Sequence, residues 1–291
     1  MRRREFLMGS IVAAGTAAIG ASQDIIVKSK LDRIGAMSGN FSDLLTQATD
    51  WSQPVAPGKL DIMDFPDLLA ERYGIHNLEV EDRHFLSLEP AYYEKFHARL
   101  QKAKSRMINI DLELDNTGYR GTISPCSPDP QIRAHAIELT KQWIDRAAMI
   151  ECPSVMPNQG RTWGEDLTPI IDALKSLRDY GASKNVAIIL EERGSIPIDT
   201  LVKVIRESGI HANPDMGNWK NEESMERGLP LMYPLALTVS HVKWNPDRFS
   251  LATAVAISKK MGFKGIYSLE TGGPEPYAMQ QDLLDKLMAY L

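Results

Sequence analysis

Four segments in the last third of the chain share one shape: an apolar run that ends on a residue able to bind a metal ion. They read VAIILEERG, carrying Glu191; GIHANPDMGNW, carrying Asp215; ALTVSHVKWN, carrying His241; and GIYSLETGG, carrying Glu270. The intervals are 24, 26 and 29 residues. A strand, a helix and two turns take roughly 25–30 residues in a (β/α)8 barrel of about 250 residues. The spacing therefore predicts an α/β chain in which these four residues sit at the carboxyl ends of four successive strands. In such a barrel those ends face one mouth, where the site is built.

Length and charge agree with one barrel-sized domain. The chain has 291 residues, 43% of them hydrophobic, enough to bury a large core. A net charge of -5 leaves no basic footprint for nucleic acid. There is no heptad run, low-complexity tract or short repeat, and the periodicity present is the βα alternation itself.

Residues 1–22 read as a separate unit. Arg3-Arg4-Glu5-Phe6-Leu7 fits a twin-arginine pattern, followed by a mild apolar stretch from Ile11 to Ile19 and small residues Gly20-Ala21-Ser22. Basic, apolar and small blocks in that order are the layout of a signal peptide, too short and alanine-rich for a good membrane span. The expectation is a periplasmic protein exported folded, with no stable membrane anchor. The barrel is then expected over 33–291.

Along the mature chain, Arg33–Ser38 reads as strand 1, followed by an irregular stretch with Trp51, Pro54 and Pro57. Helix 1 is expected over 62–73 and stopped by Gly74, strand 2 over 77–81, helix 2 over 91–105 and strand 3 over 107–114. Helix 3 is expected over 130–146, strand 4 over 149–155, helix 4 over 166–180 with Gly181 as its stop, and strand 5 over 186–190. Helix 5 follows over 198–208 with Gly209 as its stop, then strand 6 over 210–214, helix 6 over 222–233 and strand 7 over 237–240. Helix 7 over 251–261, strand 8 over 264–269 and helix 8 over 276–291 complete the pattern. Eight alternations predict a single-domain (β/α)8 barrel. A doubly wound open sheet is the second choice; it would not gather strands 5 to 8 around one centre, and no Gly-rich phosphate loop follows strand 1.

Three carboxylates and one imidazole make an oxygen-rich set for one hard or borderline divalent ion. Mn, Mg or Co suit it, and Zn is also accommodated. A structural zinc site would use four Cys or His ligands and leave no open position. Here positions remain for two substrate oxygens, so a substrate with adjacent hydroxyl and carbonyl groups chelates well. A metal on the carbonyl oxygen acidifies the neighbouring C–H and stabilises an enediolate. Glu191 and Glu270, on strands 5 and 8, can flank the substrate as an acid/base pair, one removing a proton and the other returning it. The product would be a ketose C3 epimer or a 1,2-isomer. With a leaving group β to the carbonyl, the same site would act as a lyase. A lyase or hydrolase on a keto-glycoside, and a non-catalytic periplasmic carbohydrate-binding barrel, are the other readings.

The pieces ILEERG, NPDMGNW, SHVKW and GIYSLE, with LAERYGIHNLEVEDRHF upstream, resemble the sugar phosphate isomerase/epimerase group of xylose-isomerase-like TIM barrels. That group includes ketose 3-epimerases, hydroxypyruvate isomerase and inosose dehydratase. The resemblance spans roughly residues 33 to 291 and implies Glu191, Asp215, His241 and Glu270 as metal ligands, with Glu191 and Glu270 as acid and base. Three positions depart from the family pattern. Glu192-Arg193 stands for the usual Asn-His, Trp244 for an aspartate, and Asn218 for the histidine of ketose 3-epimerases. The chain has six histidines, and His97 and His135 fall on expected helices, which argues against the multi-histidine three-zinc site of the apurinic endonuclease branch.

Further candidates line the expected mouth. His84 and Arg83 leave strand 2, and Arg193 can bind substrate or pair with a glutamate. Lys243 shares the direction of His241 along its strand, by the period of two. Trp163, Trp219 and Trp244 fall in loops after strands 4, 6 and 7, consistent with stacking on a sugar ring or with loop packing. Cys126 and Cys152 leave a disulfide open. The expected partner is a small carbohydrate, keto-sugar or polyol without phosphate, since export separates the protein from most sugar phosphates. A homo-oligomer is compatible with the chain.

Overall fold

The computed structural model describes residues 29–48, 57–114 and 123–291. The expected signal segment 1–22 and the stretch holding Trp51 and Pro54 lie outside the described residues. The strands are β1 Ile34–Met37, β2 Asn77–Glu81, β3 Arg106–Leu112, β4 Ser154–Pro157, β5 Ala187–Glu191, β6 His211–Asn213, β7 Val239–Val242 and β8 Ile266–Leu269. The helices are α1 Phe65–Tyr73, α2 Pro90–Lys102, α3 Pro130–Met149, α4 Thr168–Ala182, α5 Ile198–Ser208, α6 Glu222–Met232, α7 Leu251–Lys260 and α8 Pro276–Tyr290.

Local chemistry sets many of these bounds. Asp129 caps α3 by accepting from the backbone N–H groups of Gln131 and Ile132, and Ser250 caps α7 through Thr253. Gly74 and Gly209 end α1 and α5 with φ of 65° and 71°, a left-handed conformation that costs glycine little. α5 buries Leu201, Val202, Val204 and Ile205 while Lys203, Arg206 and Glu207 face water. Each such buried aliphatic side chain contributes roughly 1.5–3 kcal/mol of transfer free energy.

All strand pairs are parallel, in the order β6-β5-β4-β3-β2-β1-β8-β7. Single parallel bridges, Ala212 with Ala236 and Asp215 with His241, join the two ends of this order. The result is a single (β/α)8 barrel, and the doubly wound alternative falls. Side chains alternate between the helix layer and the barrel interior. Ile108, Met156, Ile189, Val239 and Ile266 pack as an interior cluster apart from the main core. Ile189 and Val239 lie two residues before Glu191 and His241, so the site rests on this apolar floor.

Several boundaries differ from expectation by a few residues, and two of them have a clear cause. The run Ala147–Ile150 belongs to the end of α3 and not to strand 4. Ala147 and Ile150 are buried there, and the chain reverses at Glu151, where φ is 53°, before β4 begins at Ser154. An apolar helix end and a buried strand have the same composition. Gly181 lies inside α4 and not after it, because the helix packs directly on β5; a Cβ there would come within 2.3 Å of the Val186 carbonyl oxygen. Among the described residues no helix is long and apolar enough to cross a membrane. Cys126 and Cys152 are buried free thiols, and burial pushes the Cys126 thiol up to about 12.

Candidate metal centre

The four residues with βα spacing meet at the carboxyl-terminal mouth. Glu191 is the last residue of β5, His241 lies in β7, Asp215 follows β6 and Glu270 follows β8. One ligand atom from each lies within 4.8 Å of the others. The backbone positions them: Glu270 N–H donates to the Val242 carbonyl at 3.0 Å, and Met216 N–H donates to the His241 carbonyl at 2.9 Å. His241 N–H donates to Asn213 Oδ1 at 3.1 Å, and Asp215 N–H donates to Glu192 Oε1 at 3.0 Å. Trp219 Nε1 donates to the Asp215 carbonyl at 2.8 Å, which fixes the loop after β6.

The imidazole of His241 is at the centre. Its Nδ1 lies 2.6 Å from Glu191 Oε1 and 3.1 Å from Glu270 Oε2, and its Nε2 lies 2.9 Å from Glu79 Oε1. Lys243 Nζ reaches Asp215 Oδ2 at 2.6 Å and Glu270 Oε1 at 2.9 Å, with Asn218 Oδ1 as a further acceptor at 2.9 Å. This approach needs glycine at position 217, since a Cβ there would lie 2.2 Å from the Cβ of Lys243. Arg193 spans three carboxylates: Glu191 Oε2 and Glu113 Oε1 at 2.9 Å each, and Asp111 Oδ1 at 3.4 Å.

These neighbours set the protonation of the site. Burial opposes charge on Glu191 and Glu270, but Lys243 and His241 outweigh it and hold both carboxyls below the usual range. Burial raises Asp215 to about 7 despite Lys243, with Glu191 and Glu270 adding to the rise. Burial likewise raises Glu192 well above the ordinary carboxyl value, with Asp215 and Glu191 beside it. Burial disfavours charge on His241, yet Glu79 and Glu191 push it well above the ordinary imidazole value.

The donor set fits a divalent ion. Three carboxylates and one imidazole converge from four strands, and Glu191, Asp215 and His241 are almost wholly buried. Carboxylates concentrated this closely in a low-dielectric interior require a strong counter-charge. Oxygen-rich sets with one imidazole suit Mg, Mn, Co or Zn.

The second group of candidates divides. Lys243 and Arg193 join the centre, Arg193 as the partner of glutamates and an aspartate. His84 is fully buried, its Nδ1 2.8 Å from Ser38 Oγ, and Arg83 pairs with Glu81 at 2.5 Å. Trp219 is buried, and Trp163 donates its Nε1 to the Gln159 carbonyl. Trp244 is 38% exposed, with the Lys286 ammonium 4.3 Å from its ring centre.

Sequence reasoning passed over Glu79, Asn109, Asp111, Glu113 and the buried role of Glu192. A signal for the first four is present in the strand texts. NLEVE places Glu79 and Glu81 on one face, and the alternation from Asn109 through Asp111 to Glu113 sets a polar face inside an apolar run. Polar residues at every second position of a strand covered by helices must face the barrel interior.

Residues 68–288 match the family model described as xylose isomerase-like TIM barrel. Solved structures agree on the fold. D-allulose 3-epimerase from Methylomonas sp. aligns at TM-score 0.68 with 15% identity, over 89% of this chain and 98% of that one. A xylose isomerase domain protein from Planctomyces limnophilus aligns at 0.67 with 16% identity, over 89% and 96%. The 3-keto-D-glucoside 4-epimerase of E. coli aligns at 0.66 with 14% identity, over 88% and 99%. No curated protein sequence matches.

Proposed function

The chain belongs to the xylose isomerase-like TIM barrel family, and from that premise we propose that it is a divalent-metal-dependent isomerase or epimerase of a sugar, keto-sugar or related polyol. The observation that carries this reading is the convergence of Glu191, Asp215, His241 and Glu270 within 4.8 Å at the mouth. When bound, the metal supplies a Lewis acid that polarises a substrate carbonyl and acidifies the adjacent C–H.

The chain's own residues do the rest. Glu191 and Glu270 move the proton: one takes it from the carbon and the other returns it. Glu191 is pinned by Arg193 on one oxygen and His241 on the other, with its side chain only 4% exposed. Glu270 is 25% exposed, so it is the carboxylate that meets a substrate entering from the mouth. The Lys243 ammonium beside Glu270 keeps it ionised and ready to accept a proton. Arg193 also pairs with Asp111 and Glu113, which places its positive charge among the carboxylates of the mouth.

An uncharged substrate suits this mouth. Arg83, Arg193 and Lys243 are each held by carboxylates and are not offered to a phosphate. The D-allulose 3-epimerase with the same fold has been solved with D-allulose, an uncharged ketose, which supports the same substrate class here. The twin-arginine pattern at Arg3-Arg4 supports export to the periplasm, and the amino-terminal sequence of protein recovered from that compartment tests it.

The test of function is metal content followed by exchange. Purified protein should hold about one divalent ion per chain and lose it in His241→Ala and Glu270→Ala. The loaded enzyme should exchange a substrate C–H for solvent deuterium across a panel of keto-sugars. Metal binding without exchange on any member of the panel would instead support the carbohydrate-binding alternative. A strong preference for phosphorylated sugars would sink the substrate class.

A further inference from the structure

Glu79 lies outside the four-residue set, yet its side chain crosses the barrel interior from β2 to reach His241 on β7. It is fully buried, and its Oε1 lies 2.9 Å from His241 Nε2. The same oxygen accepts from Asn109 Nδ2 at 2.6 Å. Asn109 is itself held, with its Oδ1 2.8 Å from Ser154 Oγ. Ser154 Oγ stands 3.1 Å from Thr238 Oγ1, three residues before His241. A chain of polar contacts thus runs from Thr238, across β4, β3 and β2, and returns to His241.

Ser154 Oγ lies within hydrogen-bond distance of both the Asn109 side-chain oxygen and the Ile108 carbonyl, and the Asn109 amide nitrogen donates to Glu79. His241 Nε2 faces Glu79, and Nδ1 faces Glu191 and Glu270. With Nδ1 given to a metal ion, the one proton left on a neutral ring is on Nε2, where Glu79 accepts it.

We propose that Glu79 is a positioning residue: it fixes the ring and tautomer of His241 so that Nδ1 is presented to a divalent ion held with Glu191, Asp215 and Glu270. The inference rests on the metal-centre reading above. A carboxylate behind a ligating histidine orients the ring and raises its basicity, and removing such a partner typically weakens metal binding about 10- to 100-fold. Glu79 is not a member of the four-residue ligand set, so its effect on the metal would be exerted through His241.

The experiment uses Glu79→Met, which removes the acceptor, and Glu79→Gln, which keeps an acceptor oxygen of the same shape without the charge. Zn2+ alone is titrated against a chromophoric chelator. In parallel, the imidazole nitrogens of 15N-histidine-labelled, Zn2+-loaded protein are read by NMR, with His241 assigned by its loss in His241→Ala. The expected result is an Nε2–H tautomer in the wild type, zinc binding about 10- to 100-fold weaker in Glu79→Met, and an intermediate loss in Glu79→Gln. Folded variants that both keep wild-type zinc affinity, or a wild-type His241 protonated on Nδ1, would overturn the proposal. If Glu79→Met does not fold, Glu79→Gln decides, and unchanged affinity there counts against it. A wild type whose zinc binding is indifferent to His241→Ala would bring down the metal centre itself and this inference with it.

Discussion

Asp215 and His241 form the parallel bridge at the seam where β6 meets β7, so the pair that helps close the barrel also supplies a carboxylate and an imidazole to the candidate metal set. The seam is sparse in other backbone pairing. At this level Met216 N–H donates to the His241 carbonyl, His241 N–H to Asn213 Oδ1 and Ser240 Oγ to the Pro214 carbonyl. Site geometry and barrel closure are therefore coupled through the same few residues.

That coupling makes His241→Ala more than the loss of a ligand. The substitution leaves Glu79 and Glu191 buried without the imidazole between them. Removing one partner of a buried charge pair typically costs about 3–5 kcal/mol. The expected outcome is loss of bound metal together with a lower denaturation midpoint in metal-free protein. Equal midpoints for wild type and variant, measured after chelation, would show that the imidazole carries no structural load.

Glu191→Gln and Glu270→Gln separate metal binding from proton transfer. Each amide keeps one oxygen able to face a metal but cannot accept a proton from carbon. Both variants should retain metal with reduced affinity and lose roughly 10²–10⁴-fold in substrate C–H exchange. Exchange at the wild-type rate in either one would remove that residue from the acid/base pair. The solvent-facing position of Glu270 leads us to expect its variant to alter the solvent-deuterium content of product most directly.

The metal set was legible because each member ends an apolar run at a βα interval, a pattern visible without any tertiary information. Lys243 was legible for a related reason, since the period of two puts it on the face of His241. The inward face of Glu79 was legible from the alternation in NLEVE, but its partner was not, because His241 lies 162 positions away and the two meet only when the barrel closes. Arg193 was half legible. Its position after Glu191 made a pair with that glutamate foreseeable, whereas Asp111 and Glu113 lie on β3 or just after it, about 80 residues earlier in the chain. The misplaced start of strand 4 has a different origin, the shared composition of a buried helix end and a buried strand.

Arg193→Met tests whether the arginine is a structural counter-ion. It would leave Asp111, Glu113 and Glu191 without the guanidinium that spans them. The expected loss is about 3 kcal/mol or more in urea denaturation. Arg193→Lys should recover part of it, since an ammonium restores charge but not a planar fork across three carboxylates. A stable Arg193→Met protein with impaired substrate binding would assign the residue to the substrate instead.

Asp82 gives the fold a pH dependence independent of the metal. It is fully buried; Oδ2 accepts from the Leu114 N–H at 3.0 Å, while Oδ1 has no hydrogen-bond partner among the described residues. Burial raises its carboxyl from 3.8 to about 7, with Glu113 and Glu81 adding to the rise against the Leu114 bond. The folded chain then holds a proton that the unfolded chain has already lost. Stability from this group is fully present below the unfolded value and falls as pH rises toward the folded one, by at most roughly 4 kcal/mol. Asp82→Asn keeps an acceptor for Leu114 and removes the titration. In denaturation series at pH 4 to pH 7, the variant should gain on the wild type steadily as pH rises. A difference that stays constant across the series would show that Asp82 does not titrate in this window.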